Sequence, residues 1–179
     1  MTYKGAPLMS KCQKWGTPIS FIEYLEKVMI GSELDLDVCA NSHNHKAVKY
    51  FTEEDNALTQ DWVAENAFMN PPFGHGGKLQ KQFFEHAVDE VHVMNNCHNL
   101  WALVPARTDT KLFHDIIVPN AETIYLIKGR FNFKSANNIK GANAPFPSML
   151  VHFTCVEEEQ YNAIPKIQTL ELDKEIRGF

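Results

Sequence analysis

At 179 residues the chain has enough material for one well-cored domain and too little for two comfortable ones. Its 44% hydrophobic and 11% aromatic content is ordinary for a globular protein, and no apolar run approaches the roughly 20 residues that span a bilayer. A net charge of −5 excludes a uniformly basic nucleic-acid binder, so any such surface has to come from the distribution of charge.

The chain begins "MTYKGAPLMSKCQKWG", without the apolar core of a secretion signal, so a cytoplasmic location is expected. Cys12, Cys39, Cys97 and Cys155 lie far apart with no CxxC pair, which argues for reduced thiols rather than a disulfide framework. A first helix is signalled by Thr17 as cap, Pro18 at the first helical position, and Ile19, Ile22, Leu25 and Met29 on one face. In "ELDLDVCA", Leu34, Leu36 and Val38 alternate with Asp35 and Asp37, a strand period of two. "NAFMN" is a second short strand. Residues 78–92 read as a helix through Leu79, Phe83, Ala87 and Val91.

"LWALVP" then reads as a buried strand, "TDTKLFHDIIV" as a capped helix and "TIYLI" as another strand. "GRFNF" and "SMLVHF" look like paired late strands joined by the loop "KSANNIKGANAPFP". Residues 157–179 read as a polar tail or terminal helix behind a single domain at 1–156. Alternating strands and helices predict an α/β fold with helices on both faces of a mostly parallel sheet. In such sheets ligands sit beyond the carboxyl ends of the strands. Residues 37–40 and 70–73 each end a strand, so both are expected on one cleft.

The charge is segregated. Six of the 22 acidic residues occupy the last 23 positions, and none falls between Glu122 and Glu157. That interval carries Lys128, Arg130, Lys134 and Lys140, interleaved with Phe131 and Phe133. A basic stretch with aromatics is either a phosphate-facing surface or a solvated hairpin. Arg107, behind the strand end in "VPART", is open to phosphate contact or a surface ion pair. His43 and His45 in "NSHNHK" read as a polar loop rather than as metal ligands, and no metal site is expected.

"AFMNPPFG" puts two prolines behind an apolar run. Pro71 and Pro72 have no N–H and fixed φ, and Asn70 before them is pushed into extended backbone. The stretch is either a rigid turn or a pocket wall presenting an amide beside an aromatic ring.

Together with "WGTP" (15–18), "LDLDVCA" (34–40), "EEDNALTQDW" (53–62), "LVPARTDTKLFH" (103–114), "IKGRFNF" (127–133) and "PFPSMLVHF" (145–153), that motif resembles the small phage-type, Dam-like DNA N6-adenine methyltransferases. These belong to the amino-methyltransferases with an (Asn/Asp/Ser)-Pro-Pro-(Tyr/Phe/Trp) motif. The resemblance spans residues 15–153. It implies a Rossmann-like, S-adenosylmethionine-dependent fold with a late antiparallel hairpin, double-stranded DNA as partner, and an adenine flipped out of the duplex.

It also implies a catalytic set of Asn70, Pro71, Pro72 and Phe73. In that set the Asn70 oxygen and the Pro71 carbonyl accept from the exocyclic amine, and Phe73 stacks on the base. Trp15, Thr17, Pro18, Asp37, Ala40, Asp55 and Asn70 would hold the donor. Asp61 and Glu54 compete with Asp55 for the donor's adenine, and the absence of a GxG turn departs from the wider class. Phe73, Lys78, Arg107, Arg130 and Lys134 would face the nucleic acid. N4-cytosine or RNA adenine methylation, protein glutamine methylation, and an inactive binding module are the rival readings. The missing substrate domain argues against the glutamine reading.

Overall fold

A computed structural model of the chain describes residues 15–72, 77–135, 138–155 and 164–179. Its centre is a pair of parallel strands, β4 (Ala64–Met69) and β5 (Cys97–Pro105), paired Ala67 to Leu100 and Met69 to Ala102. Their apolar runs are continuous because both faces are covered, as buried parallel strands require. β2 (Leu36–Asp37) joins β4 in parallel, and β3 (Lys49–Tyr50) joins β2. On the other side β9 (Ser148–Thr154) runs antiparallel to both β5 and β6 (Thr123–Lys128). β10 (Lys166–Glu171) closes that edge, parallel to β6. The order of this seven-stranded sheet is β10-β6-β9-β5-β4-β2-β3, the expected Rossmann-like α/β architecture.

Side chains on β4 and β5 alternate between the two faces. Ala67, Met69, Leu100, Ala102 and Val104 pack under α2 (Lys78–Val88) and under the helical segment holding Ile116 and Ile117. Phe68, Trp101 and Leu103 pack on the opposite face against Phe21, Ile22 and Leu25, from α1 (Ile19–Tyr24) and the turn that prolongs it. Ile19, expected on the apolar face of α1, is exposed, and Phe21 takes the buried place.

Two expectations are corrected. "GRFNF" does not pair with "SMLVHF". β7 (Asn132–Ser135) pairs with β8 (Asn138–Asn143), inside the stretch read as a loop, and also with β1 (Trp15–Gly16). The result is a separate three-stranded sheet, while β9, mostly buried, lies between β5 and β6. Nor is the C-terminal segment a polar tail or a helix throughout. Residues 166–171 are an edge strand, and Leu172 is buried in the core.

Past β10 the last residues fold back on the start of α1. Ser20 Oγ donates to the Glu175 carbonyl (2.9 Å), Asn132 N–H to the Arg177 carbonyl (2.9 Å), and Arg177 Nη1 to the Arg130 carbonyl (3.0 Å). Gly178 has φ 89°, and a Cβ there would stand 2.7 Å from the Asn132 oxygen and 2.8 Å from Pro18 Cγ. Only glycine fits that contact.

Antiparallel insertion of β9 sets His152 opposite Trp101, with stacked rings 3.9 Å apart. His152 Nε2 donates to Asn99 Oδ1 (3.0 Å). Burial pushes this imidazole down to about 4, against a smaller pull from Glu122. The unfolded chain therefore takes up a proton as pH falls from about 6.5 to 4 while the folded chain does not, and stability drops through that window. His152→Phe keeps a stacking ring and removes the titration. Urea melts at pH 7 and pH 4.5 should show the variant gaining on the wild type at the lower pH. A constant gap would mean that His152 titrates normally.

Among the described residues no helix is long and apolar enough to cross a membrane.

Candidate active site

The carboxyl ends of β2 and β4 are neighbours because the strands pair in parallel, Asp37 beside Phe68. That pairing brings the two strand-end motifs together. Asp37 is 2% exposed. Its Oδ1 accepts from Cys39 N–H (3.2 Å) and its Oδ2 from Lys46 N–H (2.9 Å), so the carboxylate gathers the loop after β2 around itself. Burial raises this carboxyl to about 6, against those two N–H groups and the positive charge of Lys46, which pull it down. Lys46, itself partly buried, is held below the usual lysine range by desolvation, with Asp37 opposing. Burial pushes the neighbouring Cys39 thiol well up, which suits packing rather than nucleophilic work.

The "WGTP" segment lies against this loop. A Cβ on Gly16 would collide with the Asn44 side chain, and Asn44 Oδ1 accepts from Lys46 Nζ. Thr17 does not cap α1: the first turn is closed by the Pro18 carbonyl, which receives Phe21 N–H (3.1 Å), and no side chain caps it. Thr17 is 5% exposed and its Oγ1 instead accepts from Asn70 Nδ2 at 3.0 Å. That bond links the first motif to the diproline motif across 53 residues. Pro18 precedes the helix as its cap residue, in extended backbone (ψ 135°), and touches Gly178 at the chain end.

Asn70 is half-buried at the end of β4, with Pro71 buried and Pro72 half-buried behind it. Phe73 lies outside the described residues. Ala40 N–H donates to the Phe51 carbonyl (2.9 Å), which fixes the loop to the end of β3. Asp55 is fully exposed, and its Oδ2 closes the next turn by accepting from Thr52 N–H (2.8 Å) and Thr52 Oγ1 (2.7 Å). Those bonds hold its carboxyl below the usual range. Its rivals Asp61 and Glu54 are exposed as well.

The basic residues spread along the same edge. Lys78 opens α2 behind β4, Arg107 follows β5, and Arg130 follows β6; all three are exposed. Lys134 sits in β7 opposite Gly16, and the side chains of Lys134, Lys140 and Trp15 lie outside what is described. Lys128 Nζ pairs with Glu171 of β10 at 2.6 Å on the exposed surface. Among the described residues no group of three His, Cys, Asp or Glu side chains is placed to hold a metal. His45 of the polar loop stacks on Tyr50 (4.3 Å) and bonds the Ala47 carbonyl.

Sequence reasoning missed Lys46 and Asn44 as members of this site, and missed the chain end as its support. A glycine between Trp15 and Thr17 was the one available sign that a side chain approaches there.

A doubly covered, mostly parallel sheet with one inserted antiparallel strand and an Asn-Pro-Pro closing a central strand defines a Rossmann-like α/β protein of the methyltransferase type. Within that class, the chain belongs to the DNA N-6-adenine-methyltransferase (Dam) family, whose model matches residues 7–175. It is similar to the DNA N-6-adenine-methyltransferase of Haemophilus phage HP1 (strain HP1c1), with 33% identity over 145 residues, 78% of this chain and 77% of that protein. It is also similar to the DNA N-6-adenine-methyltransferase of Escherichia phage T1, with 27% identity over 113 residues, 63% of this chain and 44% of that one.

Proposed function

We propose that this chain transfers a methyl group from S-adenosylmethionine to N6 of an adenine in double-stranded DNA, the adenine being flipped out of the duplex. Family membership supports the reaction class. The observation that carries the reading is the bond from Asn70 Nδ2 to Thr17 Oγ1, which joins the diproline motif to the N-terminal segment at the strand ends.

The chemistry asks for acceptors. An exocyclic amine is a poor nucleophile because its lone pair is delocalised into the ring. Hydrogen bonds accepted from its N–H groups favour the attacking geometry and disperse positive charge developing on nitrogen. Asn70 Oδ1 and the Pro71 carbonyl play that part here, and the diproline keeps them in fixed relation. Phe73 stacks on the base, a contact worth about 1–3 kcal/mol in nucleic-acid sites.

The loop and strand ends fit the donor chemically. A carboxylate has about four lone-pair sites, so Asp37 keeps accepting capacity beyond its two N–H bonds for the methionine end. Trp15, Thr17, Pro18 and Ala40 are the further residues proposed to meet the donor, and Asp55 offers a carboxylate for the adenine end. When bound, the donor supplies an electrophilic methyl group on a sulfonium. The chain's own residues orient the amine and exclude water, and the surplus proton on N6 leaves to solvent.

Nucleoside mass spectrometry of DNA incubated with the protein and S-adenosylmethionine tests the reading. N6-methyladenine is expected, and N4-methylcytosine or an unmodified digest would overturn it.

Lys78, Arg107, Arg130 and Lys134 are the residues proposed to meet phosphates. Changing Arg130 and Lys134 together to Ala should weaken binding to any DNA sequence. It should also flatten the plot of log affinity against log salt by roughly one unit per lost contact. An unchanged slope would return the β7–β8 hairpin to a solvated surface.

A further inference from the structure

We infer that Thr17 is a positioning residue for the methyl-transfer step: its hydroxyl holds the Asn70 amide so that the oxygen end, not the nitrogen end, is offered to the target amine. The inference rests on the function proposed above and deepens it.

An asparagine side chain has chemically opposite ends. Turned by half a rotation, Asn70 would present N–H donors to an amine that is itself a donor, and the acceptor needed for attack would be gone. The torsion that interchanges the two ends is broad and roughly two-fold, so the backbone alone does not select one. Thr17 Oγ1 holds one end by taking Nδ2 at 3.0 Å, and because the target amine offers only donors at the other end, the arrangement with Oδ1 outward is the one in which both contacts are made.

For that, the hydroxyl must itself stay put. Thr17 is 5% exposed. Ahead of it, Gly16 is paired with Lys134 of β7 and packed on the Asn44 side chain. Behind it, Pro18 is in contact with Gly178, and α1 starts at Ile19. A short polar side chain clamped on both flanks acts as a fixed peg for a neighbour that stands half-exposed in the cleft.

Helix capping, the local reason for a threonine before a proline, is not in use here. The hydroxyl is therefore spent on the long-range contact. The same segment is proposed to hold the donor, so seating the donor and aiming the acceptor are tied to one stretch of chain.

Thr17→Val keeps the shape and removes the hydroxyl, while Thr17→Ser keeps the hydroxyl. Single-turnover methyl transfer on a DNA duplex should fall about tenfold in Thr17→Val, the worth of one orienting neutral hydrogen bond, and recover in Thr17→Ser. The reactions are run at saturating S-adenosylmethionine, so that any weakening of donor binding in Thr17→Val, read separately by calorimetry with S-adenosylhomocysteine, does not enter the rate. Thermal melts check that the variants are folded, and Thr17→Ala serves if Thr17→Val is not.

A wild-type rate in the folded hydroxyl-free variant overturns the inference. So does a loss that appears wholly as weakened S-adenosylhomocysteine binding, or one that Thr17→Ser shares in full. Asn70→Ala, measured beside them, keeps the failures apart. If it retains the wild-type rate, the reading of Asn70 falls; if it is crippled while Thr17→Val is normal, only the role of Thr17 falls.

Discussion

Asn70→Ala should fold, bind S-adenosylhomocysteine, and lose methyl transfer by about 10²–10³-fold, the cost of removing one preorganised hydrogen-bonding group from a transition state. The side chain is half-buried at a strand end and bonds to Thr17, so its loss forfeits one ordinary hydrogen bond of the fold, about 1 kcal/mol. Activity and stability should therefore separate widely. If the diproline segment were only a rigid turn, activity would fall in proportion to the folded fraction, and single-turnover kinetics on folded protein would show a near-normal rate. Asn70→Asp is the informative companion. A carboxylate presents an oxygen at either end, so this variant should retain more of the rate than Asn70→Ala.

Glu90→Ala should cost far more stability than an ordinary polar substitution, at a position remote from the cleft. Glu90 lies in the turn after α2 and is 3% exposed. Its Oε2 accepts from Trp62 N–H (2.8 Å) and from Asn96 Nδ2 (3.1 Å), while Oε1 faces His86 Nε2 at 3.6 Å. Trp62, fully buried, hangs from that contact and from the bond of its indole N–H to the Ala57 carbonyl (2.9 Å). Truncation leaves the buried Trp62 N–H without an acceptor and takes one from the half-buried Asn96 amide, at a cost of about 2–4 kcal/mol. Glu90→Gln should cost well under half as much, because one amide oxygen can stand where Oε2 takes both bonds. Urea melts should show a lower midpoint at unchanged slope. A shift below about 1 kcal/mol for Glu90→Ala would mean that water replaces the carboxylate.

What could be read from the chain was what local rules decide. Alternation at Leu34, Leu36 and Val38 announced a strand whose end carries Asp37, and Pro71 with Pro72 announced where β4 stops. The parallel-sheet rule then brought both ends to one edge without any knowledge of contacts. Pairing was another matter. "SMLVHF" and "GRFNF" are both apolar and strand-like, and nothing within either says which neighbour it seeks. The choice is made by the slot between β5 and β6, which takes a long, mostly buried strand.

β10 was hidden for the reason edge strands usually are. Lys166, Gln168, Thr169 and Glu171 are exposed, and charged ends that discourage further pairing look the same as a solvated tail. Thr17 misled in a different way. Threonine before proline is an ordinary helix start, and a competing partner 53 residues away leaves no trace in its local pattern.

The fold-back of residues 173–179 has a bearing on how the cleft is braced. Ser20 is bonded to residues 155 and 156 positions further on, and Pro18 rests on Gly178, next to the last residue. Contacts this distant close late, after the sequence-local ones have formed. Removing residues 173–179, by limited proteolysis for instance, would unseat Gly178 and take away the second flank of the peg at Thr17. The sheet and both helical layers would remain, with the cleft's front segment unbraced.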